Sequence, residues 1–176
     1  MTSKSHINKK ILITDTSVLI NFLNINKLSL LIEYPGSFLI TEHVIEEITI
    51  DFPEQQALLN SAINNNHLVV VKVDNESELK MYNELIKEGR LGSGECSAIA
   101  CAVNRGFSLA MEDVRACKQA FKTKSDIEIL KTQDIILTLI MNEIISIEEA
   151  DNLKQIWQTN FRFALKFNSF SELLEK

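Results

Sequence analysis

The stretch Lys10-Ile11-Leu12-Ile13-Thr14-Asp15-Thr16-Ser17 is apolar without alternation from Ile11 to Ile13, then breaks at an acid. Near-continuous apolar positions mark a strand buried on both faces, the kind from which parallel α/β sheets are built. Three further runs share this character: Ser37 to Ile40, Leu68 to Val73 and Phe107 to Met111. Longer amphipathic segments separate them, so the alternation predicts βα units and a central parallel sheet.

The intervening segments predict helices over Ser17–Leu23, Leu28–Glu33, Glu42–Ile50, Pro53–Asn64, Glu76–Glu88, Glu95–Asn104 and Arg115–Lys122. Gly89 and Gly106 stand where C-terminal stops are expected. A short fifth strand is expected near Ile127–Leu130 and a helical tail from Asp134 onward. In the tail, Ser146-x-x-Glu149 and Ser169-x-x-Glu172 have the form of capping boxes. A single domain spanning 1–176 is expected, with a core over about 10–132 and a helical extension over about 133–176.

Composition narrows the class. An apolar fraction of 45% and a charged fraction of 24% over 176 residues suit a globular protein with a full core. Cys96, Cys101 and Cys117 form no CxxC pair, which predicts free thiols in a reducing, cytoplasmic setting. The apolar run after the basic start is too short for a signal peptide, and Ile135 to Ile145 is too short and interrupted to span a bilayer. A net charge of −6 argues against broad electrostatic binding to nucleic acid. It does not argue against carboxylates gathered around a metal beside a small basic patch.

The acids fall where an open parallel sheet keeps its ligand site, beyond the carboxyl ends of its strands. Asp15 follows the first strand, and Glu112-Asp113 follow the fourth. Helices carrying Glu46, Glu47 and Glu95 lie downstream of strands, so four segments converge on one crevice. At 100° per residue, the apolar side Val44-Ile45-Ile48 centres roughly 250° from Glu42, with Glu47 at about 140° and Glu46 at about 40°. Glu47 is therefore the site candidate and Glu46 a solvated charge. Glu95 lies on the apolar side of a small-residue helix, where an unpaired charge is costly. A second role is open to the strand-end acids: Asp15 and Asp113 are placed to cap the helices that follow them.

The motifs Ile11 to Ile20, Val44-Ile45-Glu46-Glu47-Ile48, Gly94-Glu95-Cys96-Ser97-Ala98-Ile99-Ala100 and Leu109 to Ala116 resemble, in order and spacing, the four acidic motifs of PIN domains. Met111-Glu112 departs from the fourth motif, where Thr or Asp is commoner. The resemblance implies a three-layer α/β/α fold and Mg²⁺- or Mn²⁺-dependent hydrolysis of RNA phosphodiester bonds. It implies Asp15, Glu95 and Asp113 as metal ligands and Glu47 as an orienting acid, with Glu46 and Glu112 as secondary candidates. Thr16 and Ser17 would serve the phosphate or Asp15. Arg115, Lys118 and Lys122 share one helix face just beyond Asp113, placed to hold phosphates or simply to meet solvent.

The resemblance also implies an RNA substrate, with a toxin held by an antitoxin protein among the roles it leaves open, and a homodimer as a frequent assembly. A catalytically silent PIN-like interaction module is the rival. An aspartate-nucleophile phosphatase wants a second Asp two residues after the first, and position 17 is Ser. His6, His43 and His67 lack zinc spacing, and no Walker A or GxGxxG pattern occurs. Trp157, Phe161, Phe163, Phe167 and Phe170 read as core or partner surface rather than a base-stacking platform.

Overall fold

The computed structural model describes residues 10–174, so His6 lies outside the described residues. Parallel strands β1 (Lys10–Thr14), β2 (Gly36–Thr41), β3 (Val69–Val71), β4 (Ser108–Ala110) and β5 (Ile129–Leu130) form one sheet in the order β3-β2-β1-β4-β5. Helices α1 (Thr16–Asn24) and α2 (Ser29–Glu33) follow β1; α3 (Glu42–Asp51), a 3-10 turn at Pro53–Gln55 and α4 (Gln56–Asn64) follow β2. Next, α5 (Glu76–Glu88) and α6 (Ser93–Arg105) lead into β4, and α7 (Val114–Thr123) leads into β5. The tail carries α8 (Thr132–Met141), α9 (Ile147–Asn160) and α10 (Ser171–Leu174).

Strand side chains alternate between two cores, as a period of two requires. Leu12, Phe38, Ile40 and Ala110 join α1 and α2 in one, whereas Ile13, Leu39 and Leu109 join α6 and α7 in the other. This is why the inner strands read as unbroken apolar runs. Val69, on the edge strand β3, is left exposed. The tail packs into the α1 core through Ile135, Ile136, Leu139, Leu153, Trp157 and Phe170. Helix α6 is buried from Cys96 to Ala102, and its small side chains let it lie against β1, β2, β4, α3, α5 and α7. Among the described residues no helix is long and apolar enough to cross a membrane.

Several local readings shift. The helical tail expected from Asp134 onward begins two residues earlier, and its first helix runs Thr132–Met141. It starts early because Asp134 reaches back to accept the Lys131 amide, and it stops where Glu143 takes a left-handed φ of 57°. Ser146 and Glu149 do form the expected capping box. Ser169 and Glu172 do not: the Ser169 hydroxyl donates to Asp151, and Glu172 accepts from the Asn168 amide. Gly89 and Gly106 end α5 and α6 in the left-handed region, φ 65° and 68°, where an L side chain would be strained. All three cysteines are free and buried, and burial raises each thiol pKa, so none is a ready nucleophile.

One ion pair ties the layer beneath α6 together. The fully buried Glu78 of α5 receives Arg105 of α6 through two parallel bonds of 2.6 and 2.9 Å, and Arg105 also donates to the Lys72 carbonyl. The Arg105 bond, opposed by burial, holds the Glu78 carboxyl below its ordinary pKa of 4.5. A depressed carboxylate contributes stability above its unfolded pKa and loses it as pH falls through the folded one. Glu78→Gln is therefore expected to cost about 3 kcal/mol at neutral pH, because it removes the buried charge opposite Arg105 and leaves it only the Lys72 carbonyl and the exposed Asp74. Urea melts across pH should show that penalty shrinking below pH 4 or so; a penalty independent of pH would overturn the assignment.

Candidate active site

The chain leaves β1 toward β2 on one side and returns to β4 on the other, so the strand order reverses between β1 and β4. A crevice opens at such a switch point, and Asp15 is the first residue past β1 there. Its amide donates to the Ala110 carbonyl at 3.0 Å, and its Oδ1 accepts the Val18 amide at 3.0 Å, capping α1. The Ser17 hydroxyl lies 2.8 and 2.7 Å from the two carboxylate oxygens and accepts the Glu112 amide at 3.1 Å. Ser17 thus joins the end of β1 to the end of β4.

Asp15 is 0% exposed, and burial pushes its pKa from 3.8 up to about 7. The Ser17 and Val18 bonds work against that rise, and the charges of Glu95 and Glu112 add to it.

Glu47 is held by three donors. Thr16 Oγ1 donates at 2.6 Å, the Gly94 amide at 2.7 Å and Ser93 Oγ at 3.2 Å, so one carboxylate links α3, α1 and the N-terminus of α6. Glu46 is exposed. Glu95, half-buried in the first turn of α6, accepts the Gly92 amide at 3.0 Å. Burial raises its pKa against that bond, and Asp113 and Glu47 raise it further.

The two acids after β4 part company. Glu112 turns toward Asp15 and accepts the Thr132 amide, 2.6 Å away at the start of α8. Asp113 caps α7, its Oδ1 accepting the Arg115 and Ala116 amides at 2.8 and 2.9 Å. A cleft of about 460 Å³ brings together Asp15, Thr16, Ser17, Glu47, Glu95 and Glu112. Asp113 and Glu46 do not line it.

Other liners escaped the sequence reading. Asn21 is a polar residue in an apolar helix, a signal that was there to be read; its side chain donates to Thr132 Oγ1 at 3.0 Å. Phe52, Phe161, Arg162 and Phe163 also border the cleft. Nothing local marks them, because Phe52 and the tail residues reach it only through packing. Trp157 and Phe170 are buried in the core and Phe163 packs against it, as expected, and Phe161 and Phe163 also border the cleft. A separate groove of about 590 Å³ is lined by Arg90, Leu91, Arg115, Lys118 and Lys122. Leu91 and Gly92 are consecutive, so groove and cleft adjoin.

Among the described residues, Asp15, Glu47, Glu95 and Glu112 form no salt bridge. No three acids, histidines or cysteines there are drawn close enough to hold a metal as they stand. The donor chemistry nonetheless fits a hard divalent cation: every candidate ligand is oxygen, and the buried Asp15 carboxylate lacks a cationic partner.

A parallel α/β fold with acids from four segments at its switch point defines a protein with a carboxylate-built site. The chain belongs to the PIN-domain family DUF3368, whose family model matches residues 11–174. Among solved structures, it is similar to a PilT N-terminus domain protein of Sulfolobus solfataricus P2, with 13% identity, a TM-score of 0.50 and 72% of this chain and 90% of that one covered. It is also similar to PAE2754 of Pyrobaculum aerophilum, with 13% identity, a TM-score of 0.50 and 79% and 94% covered. A chain of VapBC2 from Rickettsia felis, bound to a DNA fragment from their promoter, aligns at 15% identity and a TM-score of 0.47 over 69% and 98%. No curated protein matches the chain.

The raised pKa of Asp15 has a definite sign. An acid whose pKa is higher folded than unfolded loses stability as pH rises between the two values, here from 3.8 to about 7. Asparagine keeps an oxygen for the Val18 amide and carries no charge. Asp15→Asn is expected to gain on the wild type by a few kcal/mol between pH 4 and pH 8 in metal-free buffer. Thermal melts across that range check this, and a difference that stays flat would mean Asp15 ionises as an ordinary carboxylate.

Proposed function

We propose that the protein is a metal-dependent ribonuclease that hydrolyses RNA phosphodiester bonds. One observation carries the reading: carboxylates from four separate segments meet in one cleft without a salt bridge, beside a groove lined with Arg and Lys. Asp15, Glu95 and Glu112, with the remaining oxygen of Asp113, are the groups that would hold Mg²⁺ or Mn²⁺. A bound cation supplies a lowered pKa for water and charge balance on the leaving oxygen.

The chain's own residues do the rest. Ser17 orients the Asp15 carboxylate through both oxygens, so the most buried acid keeps one geometry. Glu47, gripped by Thr16, Ser93 and Gly94, is placed to accept a hydrogen bond from the attacking water. Arg90, Arg115, Lys118 and Lys122 offer the substrate backbone a cationic track that the net charge of −6 conceals. A toxin role, with a small antitoxin protein or a second copy as partner, rests on the family resemblance. Growth arrest on expression, relieved by Asp15→Asn, would support it.

Cleavage of a panel of single-stranded and structured RNAs with Mn²⁺, Mg²⁺ or EDTA tests the reading. Metal-dependent cutting is expected, lowered by roughly 100-fold or more in Asp15→Asn. Folded protein that neither cuts nor binds Mn²⁺ would leave the silent interaction module as the better description.

Gly94→Ala probes the same site from its scaffold. A Cβ there would sit 2.4 Å from Glu47 Oε2 and 2.7 Å from its Cδ, so the carboxylate must swing away. Helix α6 tolerates alanine, so the melting temperature is expected to hold within a few degrees while kcat falls about tenfold. Unchanged kcat would remove Glu47 from the machinery.

A further inference from the structure

We propose that the tail segment Phe161-Arg162-Phe163 forms a clamp for one unpaired nucleotide of the RNA strand, the Phe161 ring stacking on the base and the Arg162 guanidinium meeting its phosphate. This rests on the ribonuclease reading of the same cleft. The segment follows α9 and borders the cleft that holds Asp15, Glu95 and Glu112. Phe161 is 37% exposed, a large apolar ring on the rim of an otherwise acidic site. Arg162 is exposed and, among the described residues, makes no salt bridge although it shares a cleft with four carboxylates. A free cation and an aromatic face side by side match a phosphate and its base, and base–aromatic stacking tolerates any sequence. Paired bases are already stacked within a duplex and present no free face to the ring.

The segment is built rather than merely exposed. The amides of Phe161 and Phe163 both donate to the Trp157 carbonyl, at 3.0 and 3.2 Å. Arg162 between them takes a left-handed φ of 55°, closing α9 in the αL turn common at helix C-termini. Phe163 meets the Trp157 ring edge-on at 5.7 Å, and the buried Trp157 donates from Nε1 to the Asn21 carbonyl at 2.7 Å. Asn21 in turn donates to Thr132, whose amide donates to Glu112. The backbone that carries Phe161 and Arg162 is therefore tied to the acids before any strand arrives, which lowers the ordering cost of binding. On the other side of Gly92, the Arg90, Arg115, Lys118 and Lys122 groove continues a path for the backbone.

The test uses the full chain and two probes of one sequence, a fluorescent single-stranded 12-mer RNA and its duplex. Binding is measured on the Asp15→Asn background in EDTA, and cleavage on the active background with Mn²⁺. Phe161→Ala and Arg162→Ala are each expected to raise the Kd and KM for the single strand by roughly tenfold. The kcat should barely change, and the weaker duplex affinity should hold in Phe161→Ala, since a duplex offers phosphates to Arg162 but no free base face to the ring. Phe161→Tyr, which keeps the ring, should retain wild-type affinity, and unchanged melting temperatures confirm that the variants fold. Cleavage by the wild type with Kd and KM unmoved in both alanine variants overturns the clamp and leaves the nuclease standing. Loss of single-strand binding in those variants, in a protein that cuts no RNA, upholds the clamp and overturns the nuclease. Equal losses on single strand and duplex reduce the segment to a general electrostatic contact and overturn the stacking assignment.

Discussion

A carboxyl group sealed from water at the reversal point of the sheet is costly, and much of the surrounding structure is arranged around Asp15. Its amide belongs to the sheet through Ala110, its Oδ1 belongs to α1 through Val18, and both its oxygens face Ser17. None of these partners carries charge, and the nearest charges, Glu95 and Glu112, are of the same sign. The fold thereby holds an acid whose ionised form is stabilised far better by a cation than by the protein.

Small residues make the rest of the site compatible with that constraint. Helix α6 presses against three strands because Ala, Cys and Ser line it, and Gly94 leaves room for the Glu47 carboxylate where a methyl group would collide. The donors that grip Glu47 include an amide in the first turn of α6, where the helix dipole favours negative charge. Beneath this layer, the Glu78–Arg105 pair locks α5 to α6. The acidic edge is thus hydrogen-bonded in place on the α3 and α6 side, and its approaches carry the opposite charge.

Polarity is segregated over a short distance. Cationic side chains line the groove beyond Leu91, carboxylates line the cleft beyond Gly92, and an aromatic and cationic segment from the tail closes the far part. The overall charge of −6 averages these zones and so hides them. The tail is joined to the site through Trp157, Asn21, Thr132 and Glu112, so it is a wall of the cleft as well as a cover for the sheet.

Periodicity was legible without coordinates. Strands β1 and β4 read as near-continuous apolar runs ahead of acids because their central positions are buried on both faces. The same helical geometry separated Glu47 from Glu46, and the cleft contains the first and not the second. Capping preferences placed Ser146, Asp15 and Asp113 at helix starts, where all three accept backbone amides. Tertiary structure alone set Glu112 and Asp113 apart: consecutive residues leaving a strand point in different directions, so Glu112 lines the cleft while Asp113 caps α7. It alone brought Arg90 beside Arg115, and Phe161 to Phe163 beside Asp15. A sequence pattern encodes which face of a segment is buried, since that depends on a local period. Which distant segment that face meets depends on how all the layers pack together, and no local period carries it.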